Sequence, residues 1–96
     1  MIIDKIGSKW IVKVKKNTYI VKKSTRKTKK YDVFDIDGKY ILSFGANGYA
    51  QFFDKLGAYR KYDNNNKIRR DNYFKRFGSH NNDLNSPKFW SHEILW

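Results

Sequence analysis

Cysteine is absent from these 96 residues, so neither a disulfide framework nor a thiolate zinc site can staple the fold, and a reducing compartment is allowed. Acidic side chains are scarce: nine Asp and Glu stand against 21 Lys and Arg, for a net charge of +12. No uninterrupted apolar run approaches the roughly 20 residues that span a bilayer, and Met1-Ile2-Ile3-Asp4-Lys5 lacks the apolar core of a signal peptide. A soluble protein made in the cytoplasm is the expectation. Histidine is limited to His80 and His92. Their spacing to Asp83 and Glu93 matches no zinc or nuclease signature, and no third nitrogen or sulfur ligand accompanies them. Gly45 and Gly48 lack the lysine and hydroxyl that follow in a nucleotide-binding loop. The carboxylate pairs Asp35/Asp37 and Asp63/Asp71 fit a turn and a helix start better than acid–base chemistry. No catalytic residue, cofactor or metal is expected, and the chain is read as no enzyme.

What the chain does hold is aromatic and cationic. Phe, Tyr and Trp make up 18% of it, and rings of that size can supply the buried area that a small domain otherwise lacks. The charge is lopsided. Residues 1–30 carry ten lysines and Arg26 against Asp4 alone, a net +10, whereas 31–96 carry ten basic and eight acidic groups, a net +2. A field so concentrated is most simply explained by a polyanionic partner, nucleic acid first, with DNA ahead of RNA, and an acidic protein or membrane surface behind it. Lysine outnumbers arginine 16 to 5. Lysine is a hydrated point charge suited to backbone phosphate rather than to bidentate reading of guanine, so little sequence preference is expected.

The first half reads as strands. Trp10, Val12 and Val14 alternate with Ile11, Lys13 and Lys15, the period of two that separates the faces of a sheet. Asn17-Thr18 suggests a turn into a second strand from Tyr19. The polar run 24–30 reads as an exposed hairpin loop. Tyr31 to Ile36 resumes the strand pattern, and Asp37-Gly38 signals a tight hairpin whose two turn positions both favour positive φ. The apolar positions Tyr49, Phe52, Phe53 and Leu56 have helical spacing, and Gly57 can end that helix. A second helix over about 63–77 is capped by Asp63 or one of Asn64, Asn65 and Asn66, and closed by Gly78. Ser86-Pro87 opens a third over about 87–95. The expected fold is a single α+β domain over 1–96: a small antiparallel meander of three or four strands within about 9–44, then two or three short helices, the first over about 49–56.

Two groups of cations are the candidate site. Lys22, Lys23, Arg26, Lys27, Lys29 and Lys30 form a basic hairpin, and Arg69, Arg70, Lys75 and Arg76 surround an aromatic stripe of Tyr73, Phe74 and Phe77. If about six such charges meet phosphates, affinity falls roughly 10³-fold or more between 50 and 200 mM salt. Trp10, Tyr19, Tyr31 and Tyr40 alternate with lysines and could stack bases, but in so small a domain the core is the stronger reading for them. Tyr59 and Tyr62, beside Arg60 and Lys61, are the freer stacking candidates.

The succession Ser24-Thr25-Arg26-Lys27, Lys30-Tyr31-Asp32-Val33, Gly38-Lys39-Tyr40, Ser43-Phe44-Gly45, 49–55, Arg69-Arg70-Asp71-Asn72-Tyr73 with Lys75-Arg76, and Trp90-Ser91 with Leu95-Trp96 resembles a family of small basic proteins of large nucleocytoplasmic DNA viruses. The Arg-Arg-Asp-Asn-Tyr core and the Trp-Ser and Leu-Trp pieces are its most specific parts, and the similarity covers roughly 20–96. The family supplies no catalytic residues. Where a histidine often follows the Lys-Arg pair, this chain has Phe77, so nothing attached to that histidine carries over. The resemblance implies a viral protein of the host cytoplasm or viral factory, neutralising a packaged genome or lining a particle. The competing reading is a structural protein of a virus particle that meets virion proteins, or copies of itself, through its basic surface and Trp90, Leu95 and Trp96.

Overall fold

The computed structural model describes residues 1–78 and 83–96. It is an α+β protein: a five-stranded antiparallel sheet followed by two α-helices. The chain divides into two compact units, Met1–Asn47 and Gly48–Trp96.

The first unit is a meander in sequence order: β1 (Ile2–Ile6), β2 (Lys9–Val14), β3 (Asn17–Lys23), β4 (Lys29–Asp35) and β5 (Tyr40–Ala46). Five strands replace the three or four expected, because 2–6 pairs with β2 across a two-residue turn, Gly7-Ser8, in which Gly7 takes φ +61°. The next turn is Lys15-Lys16 rather than Asn17-Thr18: Val14 faces Asn17, and Lys15 adopts φ 57°. The 35–39 connection is also not the two-residue turn expected. Gly38 N–H donates to the Asp35 carbonyl, Asp35 N–H donates to the Lys39 carbonyl, and Gly38 alone has positive φ, +88°. That is a three-residue loop with glycine in the left-handed position, and Asp35 Oδ1 holds it by accepting from the N–H groups of Asp37 and Lys39 at 2.9 Å each.

Register decides which residues share a face. Trp10, Val12, Tyr19, Val21, Tyr31, Val33, Leu42 and Phe44 are aligned across the strands and buried. Tyr31 lies edge-on to Trp10 at 5.6 Å and stacks on Phe44 at 5.4 Å. Three of the four strand aromatics weighed as stackers, Trp10, Tyr19 and Tyr31, are thus core. The opposite face carries Ile11, Ile20, Phe34 and Tyr40 in one cross-strand row, with Lys9, Lys22, Asp32 and Ser43 in the row beside it. Tyr40 reaches this face because a bulge at Val33/Phe34 breaks the alternation it would otherwise share with Leu42 and Phe44.

In the second unit the helix expected over 49–56 does not form. Its main-chain donors are taken by distant acceptors. Phe52 and Phe53 N–H donate to the Leu95 carbonyl, Lys55 N–H to the Ile94 carbonyl, Gln51 N–H to the Tyr62 carbonyl and Asp54 N–H to Asp63 Oδ1. Gln51 and Asp54 are fully buried, which an amphipathic helix with polar residues facing water would not allow. The Asp54 carboxylate accepts from Leu56 and Tyr59 N–H at 2.9 Å each. The segment thereby caps the end of α2 (Pro87–Ile94), satisfying carbonyls that a helix leaves unpaired, and Lys55 Nζ adds a cation by donating to the Glu93 carbonyl. A short 3-10 turn, Arg60–Tyr62, leads to α1 (Lys67–Phe77). Asn66 is its cap, accepting from Ile68 and Arg69 N–H at 3.0 and 3.2 Å, and Gly78 ends it at φ +83°. Ser86 caps α2, with Pro87 in the first turn. Among the described residues no helix is long and apolar enough to cross a membrane.

Candidate nucleic-acid interface

The ten cations singled out in the sequence do not share one environment. In the β3–β4 hairpin, Lys22, Lys23, Arg26 and Lys27 are exposed, Lys29 is half-buried, and Lys30 is 1% exposed. Lys30 is therefore a buried side chain, not one presented to phosphate; β4 already begins at Lys29 and draws it into the sheet. The loop is pinned. Asn47 N–H donates to the Thr28 carbonyl and Asn47 Nδ2 to the Lys27 carbonyl, both at 3.0 Å, while Ser24 N–H donates to the Lys30 carbonyl at 2.9 Å. Arg26 N–H donates to Ser24 Oγ at 3.0 Å.

That pinning brings Lys22 and Arg26 onto the same face of the sheet. Lys22 Nζ lies 5.1 Å from the centre of the Phe34 ring, and the Arg26 guanidinium lies 5.5 Å from that of Tyr40. The two rings meet edge to face at 5.9 Å. Lys23 belongs to the other face, opposite Tyr31. The sequence offers Tyr40 as a stacking candidate but favours the core for it, since simple alternation would hide it there, and it gives no such signal for Phe34.

On α1 the helical period sorts the four cations. Arg69 and Arg76, seven apart, share a side and line a cleft of about 260 Å³ with Asn72, Tyr73, Phe77 and Trp96. Neither guanidinium hydrogen-bonds or pairs with a carboxylate among the described residues, and Arg76 lies 5.2 Å over Phe77. Arg70 points elsewhere. Its Nε donates to the main-chain oxygen of Trp96 at 2.7 Å, and its guanidinium lies between Phe52 (5.4 Å) and Phe74 (4.9 Å). It also lines a second cleft, of about 340 Å³, with Phe52, Phe53, Lys67, Asp71 and Trp96 among its walls. Lys75 is exposed and absent from both clefts.

The cleft of Arg69 and Arg76 rests on an aromatic cluster. Tyr73 stacks on Trp96 at 4.2 Å with the planes 4° apart, and meets Phe77 at 4.9 Å and His92 at 5.1 Å. Tyr73 and His92 also share a hydrogen bond, hydroxyl to Nδ1, of 2.9 Å. Burial pushes the Tyr73 hydroxyl up to about 12. Burial also lowers His92, helped by the nearby positive charge of Lys88 and opposed by Glu93. Among the described residues His92 Nε2 is buried without a hydrogen-bond partner, which, with the lowered proton affinity, disfavours the imidazolium.

Tyr59 and Tyr62 are half-buried and stack on each other at 6.5 Å, with Lys61 Nζ 5.1 Å over Tyr62. Of the C-terminal aromatic segment, Trp90 and Leu95 are buried within this chain, and Trp96 is partly exposed. His80 lies outside the described residues, and among those described no group of three His, Asp or Glu could hold a metal. No protein-family model, curated protein or solved structure matches the chain.

Proposed function

We propose that this is a non-enzymatic protein that binds nucleic acid with little regard to sequence, DNA ahead of RNA. It contacts backbone phosphates through Lys22, Arg26 and Lys27 of the hairpin and through Arg69 and Arg76 of α1. The observation that carries the reading is the cleft of α1, where two arginines without carboxylate partners among the described residues flank exposed aromatic surface. A guanidinium left unpaired beside rings is suited to an incoming phosphate and an adjacent base. Within this proposal Arg70 positions the chain around Trp96 rather than meeting ligand, and Lys30 has no role at the phosphates. A viral origin, with action in the host cytoplasm or a viral factory and packaging in the virion, belongs to the same proposal and rests on the resemblance of 20–96.

The test is a salt titration on labelled duplex DNA, single-stranded DNA, RNA and an acidic polypeptide in parallel. Five phosphate contacts predict a loss of roughly several hundred-fold in duplex affinity between 50 and 200 mM salt. Unchanged migration of every nucleic acid at 50 mM salt with micromolar protein would remove the proposal, and tight binding of the acidic polypeptide alone would turn it towards a protein partner.

A further inference from the structure

The face of the sheet that carries Phe34 and Tyr40 holds more than phosphate-binding charge. Its central row, Ile11, Ile20, Phe34 and Tyr40, carries no charged residue from β2 to β5 and ends on β1 at Asp4, and Tyr40 is 42% exposed. Beside it stand Lys9, Lys13, Lys22 and Arg26, against only Asp4 and the buried Asp32 on the acidic side. Two copies pressed face to face here would oppose like charges, so the complementary occupant is a polyanion with apolar faces of its own.

The Tyr40 ring is held in place. Ser43 Oγ donates its single proton to Asp32 Oδ1 at 2.6 Å, so in the 2.7 Å contact between Tyr40 hydroxyl and Ser43 Oγ the tyrosine is the donor. Asp32 Oδ2 accepts from Thr25 N–H at 3.4 Å, which steadies the loop that lays Arg26 over Tyr40. A fixed ring under a guanidinium meets, edge to face, a second ring under an ammonium, giving two ring faces each with a flexible cation over it that an arriving phosphate can draw aside.

We propose that this face binds single-stranded nucleic acid, with unpaired bases stacking at Phe34 and Tyr40 while Lys22 and Arg26 hold the flanking phosphates. The inference rests on the nucleic-acid reading above and names its preferred substrate. Bases inside a duplex are already stacked on each other and cannot lie on a sheet, whereas unpaired bases can. Ring dependence therefore belongs to single strands alone, and charge dependence to both.

The experiment compares a labelled oligo-dT with a duplex hairpin at matched salt, using the full chain and the variants Phe34→Leu, Tyr40→Leu and Tyr40→Phe. Each leucine variant is expected to weaken oligo-dT binding by about 5- to 100-fold, with duplex affinity changed less than about twofold and the salt slope unaltered. Tyr40→Phe, which keeps the ring, retains oligo-dT affinity. On the unaltered protein, the ring proton resonances of Phe34 and Tyr40 move upfield on adding oligo-dT, the ring-current signature of a stacked base, which duplex does not produce, a readout that needs no variant to fold. Equal losses on both nucleic acids, no loss on either, or ring resonances indifferent to oligo-dT would overturn the stacking site and leave phosphate binding standing. Loss of self-association in Tyr40→Leu, with binding unchanged, would assign the face to a second copy instead. Absence of binding to either nucleic acid removes the parent reading along with it.

Discussion

Arg70 separates structure from function on α1, because four other cations, Lys67, Arg69, Lys75 and Arg76, share its helix. Replacing it with alanine removes a charge-assisted hydrogen bond to the Trp96 main-chain oxygen, about 1.5–3 kcal/mol. It also removes guanidinium contacts with Phe52 and Phe74, about 0.5–1 kcal/mol each where partly exposed. The contributions overlap, so the expected loss of stability is about 2–4 kcal/mol. Arg69→Ala, which breaks no hydrogen bond of its side chain, should stay within about 0.5 kcal/mol of the parent. In urea, with a slope of about 1–3 kcal/mol per molar, Arg70→Ala moves the midpoint down by roughly 1–2 M, and Arg69→Ala by a few tenths at most. Tryptophan fluorescence follows the transition, since Trp96 stacks on Tyr73 beside this site. Nucleic-acid binding should show the reverse order: Arg69→Ala lowers the salt slope by about 0.9 on duplex, and Arg70→Ala, under conditions where it is folded, leaves the slope unchanged. Equal midpoints for the two variants, or a slope lost at Arg70 and kept at Arg69, would refute the assignment.

Three further outcomes are expected. Asn66→Ala strips the cap from α1 and should cost about 1 kcal/mol, read as a lower urea midpoint, with Asn66→Asp close to the parent. Lys27→Ala should reduce the duplex salt slope by about 0.9, while Lys30→Ala leaves the slope intact and lowers stability; identical slopes for the two would contradict the burial of Lys30. His92 is depressed below its ordinary value of 6.5 by burial, so the unfolded chain binds the proton more readily than the folded one. Stability should therefore fall as pH drops from 6.5 towards the lowered folded value, and His92→Gln should flatten that part of the stability–pH curve; an unchanged curve would contradict it.

Much of the architecture was legible where short-range chemistry decides it. Asn66 and Ser86 sit before their helices as side-chain acceptors must, and Trp10, Val12, Val21 and Val33 follow the period of a half-buried sheet. What escaped depended on distant partners. The spacing of Tyr49, Phe52, Phe53 and Leu56 suggests a helix, yet Asp63, Ile94 and Leu95 supply the acceptors for that segment from elsewhere in the chain, and no local pattern contains them. Asp37-Gly38 marks the right place, but the Asp35 carboxylate selects a longer loop. Lys15 enters a turn with positive φ although lysine carries no turn signal. The bulge beside Phe34 has the largest consequence, since it moves Tyr40 from the core to the open face. On α1 the cluster of four cations was plain in the sequence, but only the placement of Phe52 and Trp96 separates Arg70 from Arg69 and Arg76.

The most direct test of the central claim is the dependence of binding on salt for the unaltered protein, plotted as the logarithm of the association constant against that of salt concentration. Five phosphate contacts predict a slope of about −4 to −5 on duplex DNA, with Arg69→Ala/Arg76→Ala together reducing it by roughly 2. A slope near zero, or one that the double substitution does not alter, would contradict the claim that these arginines meet nucleic-acid phosphates.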